Sequence, residues 1–180
     1  MTRAEAYQII SEWVTNDNLL GHMLAVEAVM AHYAAMFGED IELWRVAGLL
    51  HDADWEKYPN EHPQKIIEHL KTLGVDPKIV QAINAHGGKG AIEPQSQLDK
   101  TLFACDEISG FIVAVARMRP TKFEGMEPIS VIKKLKDKRF AANVSRGDIQ
   151  RGAELLEAAL PDHITHVITA ITPLAPIIGL

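Results

Sequence analysis

Val46-Ala47-Gly48-Leu49-Leu50-His51-Asp52 is the stretch on which the reading of this chain turns. Five apolar or small residues run straight into an imidazole and a carboxylate. They continue a stripe, Leu43, Val46, Ala47 and Leu50, whose spacing is that of one helix face turned to a core. The helix thus carries His51 and Asp52 towards a dry interior, where an adjacent His–Asp pair without partners would be costly. That favours a site. Neighbours in a regular helix point ~100° apart, so the two meet on one ion only if the helix ends there. The following Ala53-Asp54-Trp55-Glu56-Lys57-Tyr58-Pro59 permits such an end. Alternatively, Asp52 bridges two ions.

Outward from this stretch, almost every segment has helical period and no alternating strand pattern occurs. Thr2 and Glu5 form a capping box for a first helix. A second is predicted over Leu19 to Phe37, stopped by Gly38, and a third is capped by Asp40. A fourth is expected from His62 to Leu73, and a fifth from Asp76-Pro77 to His86-Gly87-Gly88. A long sixth spans Leu98 to Met118 and ends before Pro120. Shorter helices follow over Ile129–Lys136, Ser145–Leu160 and Asp162–Ile171. With 180 residues and 47% apolar content, the expectation is an all-α, single-domain helical bundle over 1–180.

Imidazole and carboxylate are the usual side chains for transition metals, because both offer lone pairs near neutral pH. His62 and His86 lie ~16 and ~14 Å from the turn joining the fourth and fifth helices, at nearly the same height. His22 and His51 sit at the open end of the preceding hairpin, offset by ~7 Å. Two hairpins thus present histidines at their open ends. Asp106, flanked by Phe103, Ala104 and Ile108, needs a partner if buried. His32 is read as surface. His69 lies two turns deeper than His62 and is left out. His163 and His166, near the chain end and without a third partner, are read as solvated.

A net charge of −6 disfavours nonspecific nucleic-acid binding. One cysteine, Cys105, excludes an internal disulfide and a thiolate-rich zinc site. The first turns are charged, unlike a signal peptide, and no run of about twenty apolar residues marks a membrane span. A cytoplasmic location with no membrane partner is the default.

Taken together, His22, His51-Asp52 and Asp106 resemble the H…HD…D pattern of the HD superfamily of metal-dependent phosphohydrolases. Gly-His-Met-Leu-Ala-Val, Leu-Leu-His-Asp and Ala-Cys-Asp-Glu-Ile are the matching contexts. His62 and His86 are similar to the two extra histidines of dinuclear members. The resemblance covers about 20–110, leaving a helical C-terminal extension over about 120–180, within which the segment Lys133 to Arg151 looks like a subfamily of uncharacterised HD proteins. It implies His22, His51, Asp52 and Asp106 as ligands of one ion, and His62, His86 and a bridging Asp52 for a second. One or two divalent transition-metal ions are implied, with Mn, Fe, Zn, Co and Ni not distinguished. Ala53-Asp54-Trp55-Glu56-Lys57 departs from HD-x-x-Glu-Asp, the order of enzymes resembling guanosine tetraphosphate hydrolases. It also departs from HD-x-Gly-Lys of the cyclic-dinucleotide phosphodiesterases.

The expected chemistry is hydrolysis of a small phosphorylated compound such as a nucleotide. A bound divalent ion lowers the pKa of water towards ~7. Asp52 is expected to bridge or orient, and Asp54 and Glu56 are candidates for proton transfer. Lys133 and Lys136, in a run with Lys134, Lys138 and Arg139, and Lys89 after His86, are candidate substrate contacts. Two other readings share the pattern: a di-iron oxygenase, and a metal-stabilised signalling or binding module without turnover.

Overall fold

A computed structural model describes residues 1–88 and 90–180. Its helices are α1 (Arg3–Trp13), α2 (Asp17–Phe37), α3 (Ile41–Leu50), α4 (Gln64–Thr72), α5 (Pro77–Ala85), α6 (Gln97–Met118), α7 (Pro128–Leu135), α8 (Arg146–Leu155) and α9 (Leu160–Ile171), then a 3-10 turn at Thr172–Leu174. No strand occurs among the described residues. The fold is all-α.

Short polar residues and glycines set the helix ends. Thr2 and Glu5 form a reciprocal capping box, and Gly38 closes α2 in the left-handed region at φ 71°. Asp40 accepts from the Leu43 N–H to open α3. Four boundaries differ from the sequence reading by two residues or more. α2 starts at Asp17, because the Asn16 side chain caps the N–H groups of Asn18 and Leu19. α4 starts at Gln64, after a cis His62–Pro63 peptide, so His62 stands on the turn ahead of the helix. α8 ends at Leu155, and α9 begins at Leu160 with Pro161 in its first turn.

One hydrophobic core runs from Ala6 in α1 to Ile178 beyond α9. α2 lies at its centre, in contact with α3, α6 and α9. It is long and apolar enough to cross a membrane by length and composition, but Met23, Val26, Val29 and Met30 are fully buried against neighbouring helices. Glu27, 4% exposed, accepts from Arg3 and Arg45 and so ties α2 to α1 and α3.

Two close crossings set the site's framework. At Gly48 a Cβ would lie 2.9 Å from Met30 Cγ and 3.1 Å from the Glu27 Cα, so α3 crosses α2 at near backbone contact, three residues before His51. At Gly152 a Cβ would lie 2.6 Å from the Ala104 Cα, which seats α8 on α6 two residues before Asp106. His163, expected to be solvated, is instead fully buried. Its Nε2 faces the Ala104 carbonyl at 2.9 Å and its Nδ1 the Tyr33 hydroxyl at 2.6 Å, linking α9 to α6 and α2. The apolar i+4 and i+5 neighbours Val167 and Ile168 carry that face inward, which a reading based on nearness to the chain end missed.

Candidate metal centre

His51 closes α3, His86 closes α5, His22 lies early in α2, Asp106 lies in mid α6, and His62 stands before α4. The bundle brings these five to Asp52 in two groups. In the first, His22, His51, Asp52 and Asp106 offer atoms within 4.8 Å of one another. His22 Nε2 lies 3.1 Å from His51 Nε2, 3.0 Å from Asp106 Oδ1 and 3.6 Å from Asp52 Oδ2. In the second, His62 Nε2 lies 3.2 Å from His86 Nε2, and these stand 3.4 and 3.6 Å from Asp52 Oδ1. The two oxygens of Asp52 therefore face different groups. A chain that turns after α3, with Ala53 N–H bonded to the Leu50 carbonyl, allows both His51 and Asp52 to point into the site.

The tautomers say what belongs between these atoms. His51 Nδ1 faces the Gly48 carbonyl at 2.7 Å, and His86 Nδ1 faces the Ile83 carbonyl at 2.5 Å. His62 Nδ1 faces Asp54 Oδ1 at 2.7 Å. Each partner only accepts, so in the neutral rings Nδ1 carries the hydrogen and Nε2 presents a bare lone pair. His62 and His86 thus aim two lone pairs at each other and at a carboxylate. Ligands ~2.1 Å from one ion lie roughly 3.0–3.4 Å apart at right or tetrahedral angles, so the spacings suit a shared cation. The residues fit a divalent metal in both groups.

Electrostatics agree. Burial opposes charge on His51, yet the carboxylates of Asp52 and Asp106 raise its pKa well above the ordinary 6.5. Burial also opposes charge on those two carboxylates, but the facing histidines hold both below the usual range. The raised His51 and the lowered carboxylates mark a site of negative potential, which suits a cation.

Two residues expected to move protons sit elsewhere. Asp54 is fully buried behind His62, with Oδ1 on the His62 ring and Oδ2 accepting from the Ile66 N–H at 2.9 Å. It orients the His62 ring and does not line the cleft. Glu56 accepts from the N–H groups of Thr15 and Asn16 at 2.9 and 3.0 Å and from the Thr15 hydroxyl, so it ties the turn to the start of α2. Those bonds, the hydroxyl first, hold its carboxyl below the ordinary 4.5. Lys133 and Lys136 are exposed on and just after α7, and neither lines the cleft. Lys89 lies outside the described residues.

The two groups form the floor of a cleft of about 630 Å³. Its walls include Trp55, Phe103, Glu107, Gly110, Asn143, Val144 and Asp148, none of which the sequence reading proposed as a site residue. At Gly110 a Cβ would stand 3.6 Å from His22 Nδ1, so the small residue makes room for that ring one turn from Asp106. This i+4 spacing was the available signal. Glu107 accepts from the Ser145 N–H at 3.2 Å, and burial, then Asp106, raises its pKa to about 7.

A family model for the HD domain matches residues 19–110. Ribonuclease Y of Staphylococcus epidermidis is 32% identical over 96 residues, and Ribonuclease Y 2 of Levilactobacillus brevis is 34% identical over 97. Each alignment covers 52% of this chain but 18% of the relative, so the chain spans a small part of the curated proteins it matches. No solved structure matches it significantly.

Proposed function

Because this chain belongs to the HD-domain family, one of metal-dependent phosphohydrolases, we propose that it hydrolyses a phosphate ester of a small molecule. The observation that carries this reading is Asp52, whose two oxygens face two separate histidine groups at the floor of one cleft. His22, His51, Asp52 and Asp106 would hold one divalent ion, and Asp52, His62 and His86 a second. Bound there, such ions make water acidic enough to ionise near neutral pH and neutralise charge on phosphate oxygens.

The chain's own residues do the rest. Three Nδ1 partners, the Gly48 and Ile83 carbonyls and Asp54, pin the rings so that Nε2 points inward. The buried positions of His51, His62 and His86 exclude bulk water from the floor. The volume of the cleft suits a small ligand, since such sites run to about 300–1,000 Å³. The similarity to ribonucleases supports phosphoester chemistry and favours a second reading, cleavage of short RNA, with the net charge of −6 weighing against long nucleic acid.

The test is turnover by protein of measured metal content. Mononucleotides, sugar phosphates, p-nitrophenyl phosphate and a short oligoribonucleotide are each assayed with and without added manganese. Metal-stimulated release from a small ester supports the proposal. Cleavage of the oligoribonucleotide alone moves the assignment to RNA, and inactivity of the metal-loaded protein on all of them overturns it.

A further inference from the structure

The cleft has one wall that lies outside the family-matched region. Asn143, Val144 and Asp148 close it over the floor, and they come from the segment joining α7 to α8 and from the first turn of α8. Residues 136–145 are a run of turns whose backbone bonds, such as Phe140 N–H to the Asp137 carbonyl and Val144 N–H to the Ala141 carbonyl, join near neighbours and do not tie the turns to one another. Arg146 does. Its guanidinium donates to four backbone carbonyls of that segment: Nη1 to Ala141 and to Val144 at 2.7 Å, and Nη2 to Phe140 and to Asp137 at 3.3 Å. The same group lies 5.0 Å over the ring of Phe111, a fully buried residue of α6, and Phe140 packs edge-on against that ring. Ala141 takes φ 44°, a conformation that needs such external support in a residue with a Cβ. From the other side, Glu107 accepts from the Ser145 N–H. A planar fork with five donors can join four carbonyls at once; an ammonium cannot.

We propose that Asn143, Val144 and Asp148, carried by residues 140–148, are the specificity wall of the cleft, and that Arg146 is the positioning residue that holds it. The inference rests on the phosphohydrolase reading and deepens it. Asn143 is exposed and offers both a donor and an acceptor, Val144 offers an apolar edge, and Asp148 adds a carboxylate. Such a lining receives hydrogen bonds from hydroxyl or amino groups and repels a second phosphate. The substrate class that fits is the monophosphate of a hydroxyl- or amine-bearing body, in preference to the diphosphate of the same body.

The experiment measures kcat and KM of the metal-loaded chain on a nucleoside monophosphate, its diphosphate, ribose 5-phosphate and p-nitrophenyl phosphate. Wild type is expected to favour the monophosphate over the diphosphate by about tenfold or more, and Asp148→Asn to narrow that ratio. Arg146→Ala should raise KM for the monophosphate about tenfold with a smaller effect on kcat, without rescue by Arg146→Lys. The visible spectrum of the cobalt-loaded protein should stay unchanged, because the bonds of Arg146 run to the wall's own carbonyls and not to the metal-type side chains. Asn143→Ala, at an exposed position where folding is not at stake, should lower kcat/KM for the ribose-bearing esters more than for p-nitrophenyl phosphate. If Asn143→Ala and Asp148→Asn shift every ester by one common factor, or shift none, the specificity wall is overturned while the hydrolase stands. If wild type turns over no ester, the phosphohydrolase reading itself has failed.

Discussion

The His22–His51 pair and the His32–His166 pair each bring two imidazole nitrogens to 3.1 Å, and each starts from α2. Their surroundings are opposite. Around the first, Asp52 and Asp106 stand within 3.6 Å, and backbone carbonyl or carboxylate partners pin three of the four histidine tautomers of the two groups. Around the second lie Tyr33 and the buried His163, whose ring is already satisfied on both sides. Among the described residues, groups of three or more metal-type ligands occur only around Asp52. The protonation tendencies split the same way. His51 is pushed up by two carboxylates, whereas burial lowers His163 and, with less burial, His32. A pair of histidines is therefore not the unit of a metal site. Carboxylates that face the bare nitrogens, and acceptors that fix the opposite ring edge, are.

Removing the carboxylate that both groups share breaks the first region most severely. Asp52→Asn keeps the shape but cannot present two anionic oxygens. Turnover is expected to fall by more than about 100-fold, beyond what losing a supporting partner costs, and metal content should drop. Elemental analysis and kinetics on one preparation check this; retained metal with full activity would show that the bridge is dispensable. Asp54→Ala removes only the acceptor behind His62. On the two-ion proposal, metal affinity of the His62–His86 group should fall about 10–100-fold while that of the His22–His51 group is kept. Metal titration that resolves two binding steps is the measurement, and equal loss of both would show that the groups are not separable.

How far the sequence could see this contrast depends on what each residue's role requires. The helices were legible because caps and glycine stops are local: Thr2 with Glu5, Gly38, Asp40 and Asp76-Pro77 each act within one turn. The six metal-type residues were legible because an order of motifs carries them. Direction was not. Asp54 and Glu56 are two residues apart, yet one faces His62 and the other faces Thr15, because the segment after α3 is a series of turns without a fixed period. His163 was misjudged because its partners, Tyr33 and Ala104, are more than fifty residues away. The wall around Asn143 depends on a single arginine reaching four carbonyls, a pattern with no spacing signature.

His163→Ala sharpens the comparison from the other region. It deletes a fully buried ring, leaves the Tyr33 hydroxyl without its buried partner and removes the second bond accepted by the Ala104 carbonyl of α6. A loss of about 2–4 kcal/mol is expected, with metal stoichiometry intact in the folded fraction. Denaturant unfolding and metal analysis separate the two effects. Loss of metal from well-folded variant would place His163 in the centre after all.

The opposite titration of the two regions gives a pH test on metal-free protein. His51, raised above 6.5, contributes stability that is fully present below 6.5 and lost as pH rises through its folded value. His163, lowered below 6.5, contributes stability present above 6.5 and lost as pH falls through its folded value. In metal-free His163→Ala the acid-side loss should shrink and the alkaline-side loss persist. In His51→Ala the alkaline-side loss should vanish. Thermal melts across pH 5 to 9 decide the point, and an identical profile in all three proteins would show that neither ring is linked to folding.

The smallest effect is expected where the two regions look most alike. His32→Ala removes one ring of a 3.1 Å pair that is half-exposed and has no carboxylate beside it. The lost contact is a neutral nitrogen pair open to water, so stability should change by no more than about 1 kcal/mol. Its pKa is lowered by partial burial and then by His166, so removing it should slightly relieve the acid-side loss. Metal content should not change at all, because neither nitrogen is backed by an anion that would repay the desolvation of a cation. Metal analysis of His32→Ala beside wild type reads this directly. Loss of one equivalent would mean that two facing imidazoles suffice to hold an ion here, and the distinction drawn between the two pairs would fall.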